Sequence, residues 1–258
     1  MGAVLELLDR ADSEAALPRL GGMARPQGVV IVSERYWAFA GRDGTLREGT
    51  MPTPPARLRN VPLLRGLVRL GMSVSPLLRR NGVAGRRERP LLLAVLLAPF
   101  LFVFLPHAVS LWLGLSASVG LVAWMLRGRT LRLHGAEHRA IAAVESRQLV
   151  ETWHGRALPS RFSPRCGTNF AALAMPITWL ADRLWPLAPE LWTPVVVTAL
   201  ALAASMELWR AVQARALLKP LLIPGLALQR LTTREPALEE TQIALRATAS
   251  VLERELAA

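Results

Sequence analysis

The sequence contains few residues of several types, and each shortage excludes a class of protein. Its 258 residues include one cysteine, one tyrosine, one lysine and four histidines. The single cysteine, Cys166, excludes an intramolecular disulfide framework. No predicted helix or strand alternates basic and aromatic residues along one face, so nucleic-acid binding is not expected.

Arginine supplies almost all of the positive charge. The net charge is +12 at pH 7, 52% of the residues are hydrophobic, and the mean hydropathy is +0.31. This composition is too apolar for an ordinary soluble domain and too charged for a chain that lies wholly in a bilayer. The arginines cluster beside apolar segments, as residues that fix membrane topology do: Arg79, Arg80, Arg86, Arg87, Arg89, Arg127, Arg129, Arg132, Arg210 and Arg215. The lipid bilayer is therefore the first expected partner.

Four apolar segments are candidate membrane spans: about 91–107, 109–126, 169–187 and 191–209. Each has about 16 to 19 residues, near the lower limit for a hydrocarbon core of about 30 Å. They pair as two hairpins with arginine-poor turns. The positive-inside rule then predicts a multi-pass protein of the inner membrane, with both termini and the 127–168 connection in the cytoplasm. The first residues carry several acidic side chains and no uninterrupted apolar core, so no cleaved signal is expected.

The remaining segments predict three further elements. Residues 28–48 contain the runs Val-Val-Ile-Val and Tyr-Trp-Ala-Phe, followed by a Gly-Arg-Asp-Gly turn, which predicts a small antiparallel β unit. Residues 61–78 predict a helix that lies in the membrane interface, re-enters it or spans it. Residues 236–256 predict an amphipathic cytosolic helix with Pro236 in its first turn.

The predicted fold is therefore mainly α. It comprises about four membrane helices in two hairpins, an interfacial or re-entrant helix, a small N-terminal antiparallel β unit and a C-terminal amphipathic helix. Residues 1–60 are predicted to form an N-terminal cytosolic segment, and 61–90 a helix with a basic linker. Two transmembrane hairpins, 91–126 and 169–209, follow, joined by the cytosolic connection 127–168. The C-terminal cytosolic segment comprises 210–258.

A cluster of chemically active residues occurs at positions 134 to 138, which read His-Gly-Ala-Glu-His. Two histidines four residues apart lie one above the other on a helix, about 6 Å apart, so both can bind one metal ion such as zinc. The order H-x-x-E-H is also that of a known zinc-peptidase motif. Glu137 is then a candidate general base. His154 lies in a loop-like stretch and is expected to be solvated.

The third ligand of such a site has two candidates. Glu145 lies seven residues beyond His138, about 10.5 Å along a helix, which is too far for the same coordination shell. Cys166 is chemically better, because a thiolate binds zinc well and the following glycine permits a tight turn. The alternative is a purely structural polar cluster, in which the histidines only satisfy hydrogen bonds and the cysteine packs as a small apolar residue.

Several of these segments resemble the YqhQ-like family of bacterial polytopic membrane proteins, whose function is unknown and which has been described as possibly metal-dependent. The similarity covers about residues 20–255 and rests on the motifs at 134–138, with Glu145 following, at 164–168 (Pro-Arg-Cys-Gly-Thr) and at 228–236. Two positions depart from the family pattern. Gln27 stands where relatives have an acidic residue, and Ser163 stands where they commonly have a histidine. If those groups are ligands in relatives, weaker metal binding is expected here.

Two classes of function remain open from the sequence. The first is a membrane-bound, metal-dependent hydrolase that acts at the cytosolic face, with His134, His138 and Cys166 as ligands and Glu137 as base. The second is a non-catalytic scaffold or assembly factor that binds a protein partner through its cytosolic platform. In either case, Arg165 and Glu235 are expected to serve packing: Glu235 lies near the start of the last helix, and Arg165 can pair with a carboxylate. The oligomeric state is not determined by the sequence.

Overall fold

The computed structural model describes most of the chain: residues 2–58, 60–79, 82–86, 88–90, 92–94, scattered positions between 97 and 120, residues 128–187, residue 190 and residues 192–258. It divides into two compact units. Unit 1 comprises 1–53, 125–163 and 228–258, and unit 2 comprises 54–124 and 164–227.

The helices of the described residues are α1 to α8, in chain order Gly2–Ser13, Leu64–Leu78, Gly128–Ser146, Leu149–Trp153, Gly167–Arg183, Thr193–Ala214, Ile223–Thr232 and Leu238–Leu256. Short 3-10 helices occupy Ala56–Leu58 and Ala216–Leu222. The strands are β1 to β4: Gly21–Arg25, Gly28–Val32, Tyr36–Gly41 and Leu46–Thr50.

The sheet of unit 1 is a four-stranded antiparallel meander in the order β1-β2-β3-β4. Val30 lies opposite Phe39 in the central strand pair. The β3–β4 turn contains Asp43, whose Oδ1 accepts hydrogen bonds from the Thr45 amide and hydroxyl, and Gly44, whose φ of 84° favours glycine. The predicted antiparallel β unit is thus confirmed, and its strands extend beyond 28–48 at both ends.

The core of unit 1 forms where α3 and α8 pack on this sheet. β2 and β3 are almost wholly buried. Fully buried side chains from both helices and from the sheet meet there, among them Ile31, Leu133, Leu245 and Leu252. Because α8 is buried along most of its length, the C-terminal helix is a core element of this unit.

Carboxylate groups accept hydrogen bonds from backbone amides at the start of two helices of unit 1. Asp12 of α1 accepts hydrogen bonds from the Leu149 and Val150 amides through its two carboxylate oxygens, which caps α4. At the start of α8 the Glu240 carboxylate accepts a hydrogen bond from the Ala237 amide at 2.8 Å. This helix begins at Leu238. The prediction that Pro236 occupies its first turn is wrong by two residues, since that bond places the helix start after Pro236.

In unit 2, α2 packs closely against α6. The Arg65 guanidinium forms a bidentate ion pair with the Glu207 carboxylate, with both N–O distances at 2.6 Å. A Cβ at Gly66 would lie 2.9 Å from Met206 Cβ and 3.2 Å from the Ala203 carbonyl oxygen. The glycine therefore permits the two helix backbones to approach at this point.

The expectation of about four membrane spans is wrong for the residues that the structure describes. Within them, only α6 is long and apolar enough to cross a bilayer, which is a weak indication of membrane association. The expected span at 169–187 corresponds to α5, whose 17 residues would cover about 25 Å, short of a hydrocarbon core of about 30 Å. The expected spans at 91–107 and 109–126 lie for the most part outside the described residues.

The burial pattern of α8 leads to a stability prediction. Leu245 is fully buried, whereas Leu238 on the same helix is 45% exposed. Leu245→Ala should lower the free energy of unfolding by about 2 to 5 kcal/mol and Tm by roughly 5 to 15 °C, because it leaves a cavity in a packed core. Leu238→Ala, the matched control, should cost less than about 1 kcal/mol. Thermal melts of the detergent-purified variants measure both, and equal losses would contradict the packing described.

Candidate metal centre

The His-Gly-Ala-Glu-His motif lies within α3, which continues without a break to Ser146. Its two histidines are therefore one helical turn apart on the same face. Their rings make an edge-on contact, with centroids 4.5 Å apart and planes at 62°. His138 is 2% exposed and His134 is half-buried. The structure thus brings together the two predicted nitrogen ligands.

Backbone carbonyl groups orient both rings. The Nδ1 of His134 lies 2.9 Å from the Thr232 carbonyl oxygen, and the Nδ1 of His138 lies 2.7 Å from the Arg161 carbonyl oxygen. A carbonyl can only accept, so each Nδ1 carries the proton and donates it. In the neutral ring, Nε2 then presents its lone pair. The His138 Nε2 is buried and has no hydrogen-bond partner among the described residues.

Glu137 is directed from α3 toward β1. It is 4% exposed, and a Cβ at Gly22 would lie 2.8 Å from its Cγ and 2.9 Å from its Oε1. The carboxylate therefore occupies space that only a glycine leaves open. Burial raises the pKa of Glu137 to about 7, against the opposing effects of the His134 charge and of a backbone hydrogen bond from Ala24. Its Oε2 has no hydrogen-bond partner within the described part of the chain.

The segment that follows α7 packs directly on α3. A Cβ at Gly135 would lie 2.2 Å from the Arg234 carbonyl oxygen, so the motif's glycine allows this backbone to contact the helix. Buried Arg139 pairs with Glu235, and Arg161 approaches the same carboxylate at 3.5 Å. Arg139 also donates to the Pro159 carbonyl oxygen. These contacts hold the two carbonyl-bearing segments on the histidine helix.

Ser163 and Gln27 occupy the two positions that depart from the resemblance. Ser163 is buried, and the Gln229 side-chain amide pairs with its backbone through two hydrogen bonds, Ser163 N–H to Oε1 at 2.9 Å and Nε2 to the Ser163 carbonyl at 2.8 Å. Gln27 is exposed in the β1–β2 turn, where its carbonyl oxygen accepts from the Arg42 amide. The two hydrogen bonds from Gln229 fix the backbone of Ser163, three residues before Cys166.

Cys166 belongs to unit 2, where it is the N-terminal cap of α5. Its sulfur accepts hydrogen bonds from the Thr168 amide at 3.5 Å and from the Thr168 hydroxyl at 3.2 Å. The cysteine takes the cap position, where threonine or asparagine is more usual. Its thiolate form is a ligand that zinc prefers.

The other predicted site residues are dispersed. Glu145 is exposed near the end of α3, which agrees with its exclusion as a ligand by distance. Glu235 forms the ion pairs with Arg139 and Arg161 described above. Arg165 lies at the start of unit 2, and exposed His154 follows α4.

Several residues that shape the site were not singled out from the sequence. They are Arg161 and Thr232, whose carbonyl oxygens accept the histidine hydrogen bonds, Gln229, which pairs with the Ser163 backbone, the buried Arg139, and Gly22 beside Glu137. Glycine carried a usable signal in two places, because Gly135 inside a helix and Gly22 inside a strand both indicate a close approach of another group. The carbonyl contacts left no signal, because any residue provides a backbone oxygen.

A comparison with protein-family models gives one match for this chain. A family described as "Protein of unknown function (DUF1385)" matches residues 119–254, which is more than half of the sequence and includes α3, Cys166 and most of α8. No curated protein and no solved structure matches the chain.

The buried Glu137 carboxyl leads to a pH prediction for the metal-free protein. Its folded-state pKa of about 7 lies above its ordinary value of 4.5, so between these values the folded state keeps a proton that the unfolded state has lost. Stability from this group is therefore present below about pH 4.5 and falls as the pH rises toward 7, by roughly 3 kcal/mol in total.

Glu137→Gln should remove this pH dependence, since glutamine does not ionise. Melts of both proteins at pH 5 and pH 8, in the presence of a chelator, measure the difference. Glu145→Gln on the same helix is the matched control and should show the same change in Tm between the two pH values as the wild type. Identical changes in Tm for wild type and Glu137→Gln would contradict the buried, proton-retaining carboxyl.

Proposed function

We propose that this chain, which belongs to the DUF1385 family of proteins of unknown function, is a membrane-associated protein that binds a divalent metal ion such as zinc through His134, His138 and Cys166. The motifs at 134–138, 164–168 and 228–236 support the further assignment to the YqhQ-like membrane proteins. The observation that carries the proposal is the orientation of the two histidine rings. Each donates Nδ1–H to a backbone carbonyl and presents Nε2 from the same face of α3.

This orientation is the usual one for histidine ligands. A metal-bound imidazole almost always donates its second ring N–H to a carbonyl or carboxylate, which fixes the tautomer and the ring plane. A buried ring nitrogen without a partner otherwise costs about 1 to 3 kcal/mol. The unpartnered His138 Nε2 is thus explained by a ligand that accepts its lone pair.

Chain connectivity supports Cys166 as the third ligand. The Arg161 carbonyl oxygen contacts His138, and Gln229 holds Ser163 through two hydrogen bonds. Cys166 follows three residues later, so the extended chain can carry it at most about 10 Å from Ser163. A thiolate and two imidazoles are ligands that zinc prefers.

Three protein ligands leave a coordination position open, which is typical of catalytic zinc sites and favours a hydrolase. A bound divalent metal would supply acidity to a water molecule at that position. Glu137 lies next to His138 in sequence, and its buried Oε2 has no protein partner in the described residues. We assign this carboxylate the role of general base, with a raised pKa that suits proton transfer near neutral pH. The substrate is expected at the membrane.

A non-catalytic scaffold is the second candidate. The observation that favours it is the ion-pair cluster of Arg139, Arg161 and Glu235, which ties two segments to α3 without any ligand. In this alternative the histidines complete the same structural cluster, and the platform of unit 1 binds a protein partner.

Metal analysis of the detergent-purified full-length protein tests the proposal. We expect about one zinc per chain after zinc addition and dialysis. His134→Gln, His138→Gln and Cys166→Ser should each weaken binding by orders of magnitude, because each removes a side chain that binds the metal directly. Glu137→Gln should retain the metal, because a base is not a ligand.

His154→Gln is the matched control for these variants, since His154 is exposed and lies outside the cluster. It should bind metal as the wild type does. A well-folded wild type that stays metal-free after zinc addition would reject the metal site and favour the scaffold. Weakened binding in all five variants, including the control, would show that the losses reflect folding.

We also propose that unit 1 lies on the cytoplasmic side of the inner membrane. The helices α1, α3 and α8 contribute to one hydrophobic core, so residues near both termini and the end of α3 lie on the same side. The basic segments beside the apolar runs favour the cytoplasm for that side.

Cysteine labelling on a Cys166→Ser background tests this orientation. Arg147→Cys and Ala257→Cys, at the ends of α3 and α8, should react with an impermeant maleimide only after the cells are permeabilised. Labelling of both in intact cells would place unit 1 outside. Labelling of one alone would contradict the shared core.

A further inference from the structure

We propose that the segment 215–223, which follows the candidate membrane helix α6, is a lipid-binding surface that lies among anionic lipid headgroups. This basic apolar surface consists of Arg215, Leu217, Lys219, Leu221 and Ile223. It is independent of the proposed metal site, and all five residues belong to unit 2.

The surface forms because one side of the segment is anchored. The chain leaves α6 after Ala214, turns through an extended Arg215 and continues as the 3-10 helix Ala216–Leu222. Leu222 is 4% exposed and packs in a small core with Leu173 and Val212. Leu218 and Leu226, four residues to either side, pack against the same core. The side chains of the basic apolar surface are exposed.

The outward apolar side chains are unusually exposed. Leu217 is 93% exposed, Ile223 is 63% exposed and Leu221 is 42% exposed. Isolated apolar side chains on a surface need no explanation, but three within seven residues form an apolar patch of the kind that inserts into a membrane or an interface.

Charge identifies the bilayer as the occupant. Arg215 and Lys219 are exposed between and beside the apolar side chains. From 208 to 234 the sequence has no acidic residue and five cations: Arg210, Arg215, Lys219, Arg230 and Arg234. Apolar side chains interleaved with cations are typical of segments that lie in the headgroup region of an anionic leaflet. A protein surface would require acidic groups at the same spacing.

The position of the segment directly after α6 also supports a location at the level of the lipid headgroups. Arg215 directly follows the last residue of the one described helix that is apolar and long enough to cross a bilayer. Cations at the end of such a helix extend to the headgroups. The next residues of the chain therefore emerge at the level where apolar and basic side chains are both favoured.

Fluorescence quenching of the full-length protein in lipid nanodiscs tests the proposal. Leu217→Cys on a Cys166→Ser background carries an environment-sensitive probe, and Leu46→Cys, an exposed leucine of β4, is the matched control. Nitroxide groups near the top of the acyl chains should quench the probe at 217 strongly and the probe at 46 weakly. Iodide in the buffer should give the reverse order. Equal iodide quenching at both positions, or shielding of position 217 from both quenchers, as by a protein partner or a second copy, would overturn the proposal.

The requirement for anionic lipid is tested in the same discs. A small fraction of nitroxide phosphatidylglycerol should quench the probe at 217 severalfold more than the same fraction of nitroxide phosphatidylcholine, because each nearby cation enriches anionic lipid by about fivefold. Arg215→Gln with Lys219→Gln should abolish this preference. Arg10→Gln with Arg42→Gln, which removes the same charge from unit 1, should preserve it. No preference in the wild type, or equal losses in both double variants, would overturn the anionic assignment.

Discussion

Two hydrogen bonds from histidine rings to backbone carbonyl oxygens determine how the candidate site is assembled. The oxygens belong to Arg161 and Thr232, which are distant in sequence from α3 and from each other. Each bond satisfies a polar ring nitrogen inside a packed unit, where an unsatisfied group would be costly. The connection after α4 and the end of α7 must therefore both lie against α3, and these contacts define the surroundings of His134 and His138.

The burial of Glu137 imposes the second constraint on this region. A carboxyl group enclosed by a helix and a strand needs space that side chains do not occupy, and Gly22 provides it. The same enclosure raises the pKa of the group to about 7, because burial penalises the charged form. The structural and the catalytic hypothesis for the motif thus both depend on the removal of polar side chains from water. They differ in whether a metal ion is bound.

The candidate site was predictable where one local rule suffices. Helical spacing places His134 and His138 on one face, and the rise per residue excludes Glu145 from the same shell. The partners of these residues were not predictable, since the backbone oxygens of Arg161 and Thr232 carry no side-chain signature. The capping role of Cys166 was missed for a related reason, because threonine and asparagine are the ordinary caps and a sulfur acceptor is uncommon there.

The sequence by itself determined the elements whose pattern is local: the antiparallel strands with their Asp-Gly turn, the helix at 64–78, the histidine helix and the final helix. Tertiary structure decided which of these elements share a core, because that depends on contacts between residues far apart in the chain. Among the described residues, apolar content alone overstated the membrane helices, since the predicted span at 169–187 forms the short helix α5. Length and packing partners, not hydropathy, separate a membrane helix from a core helix.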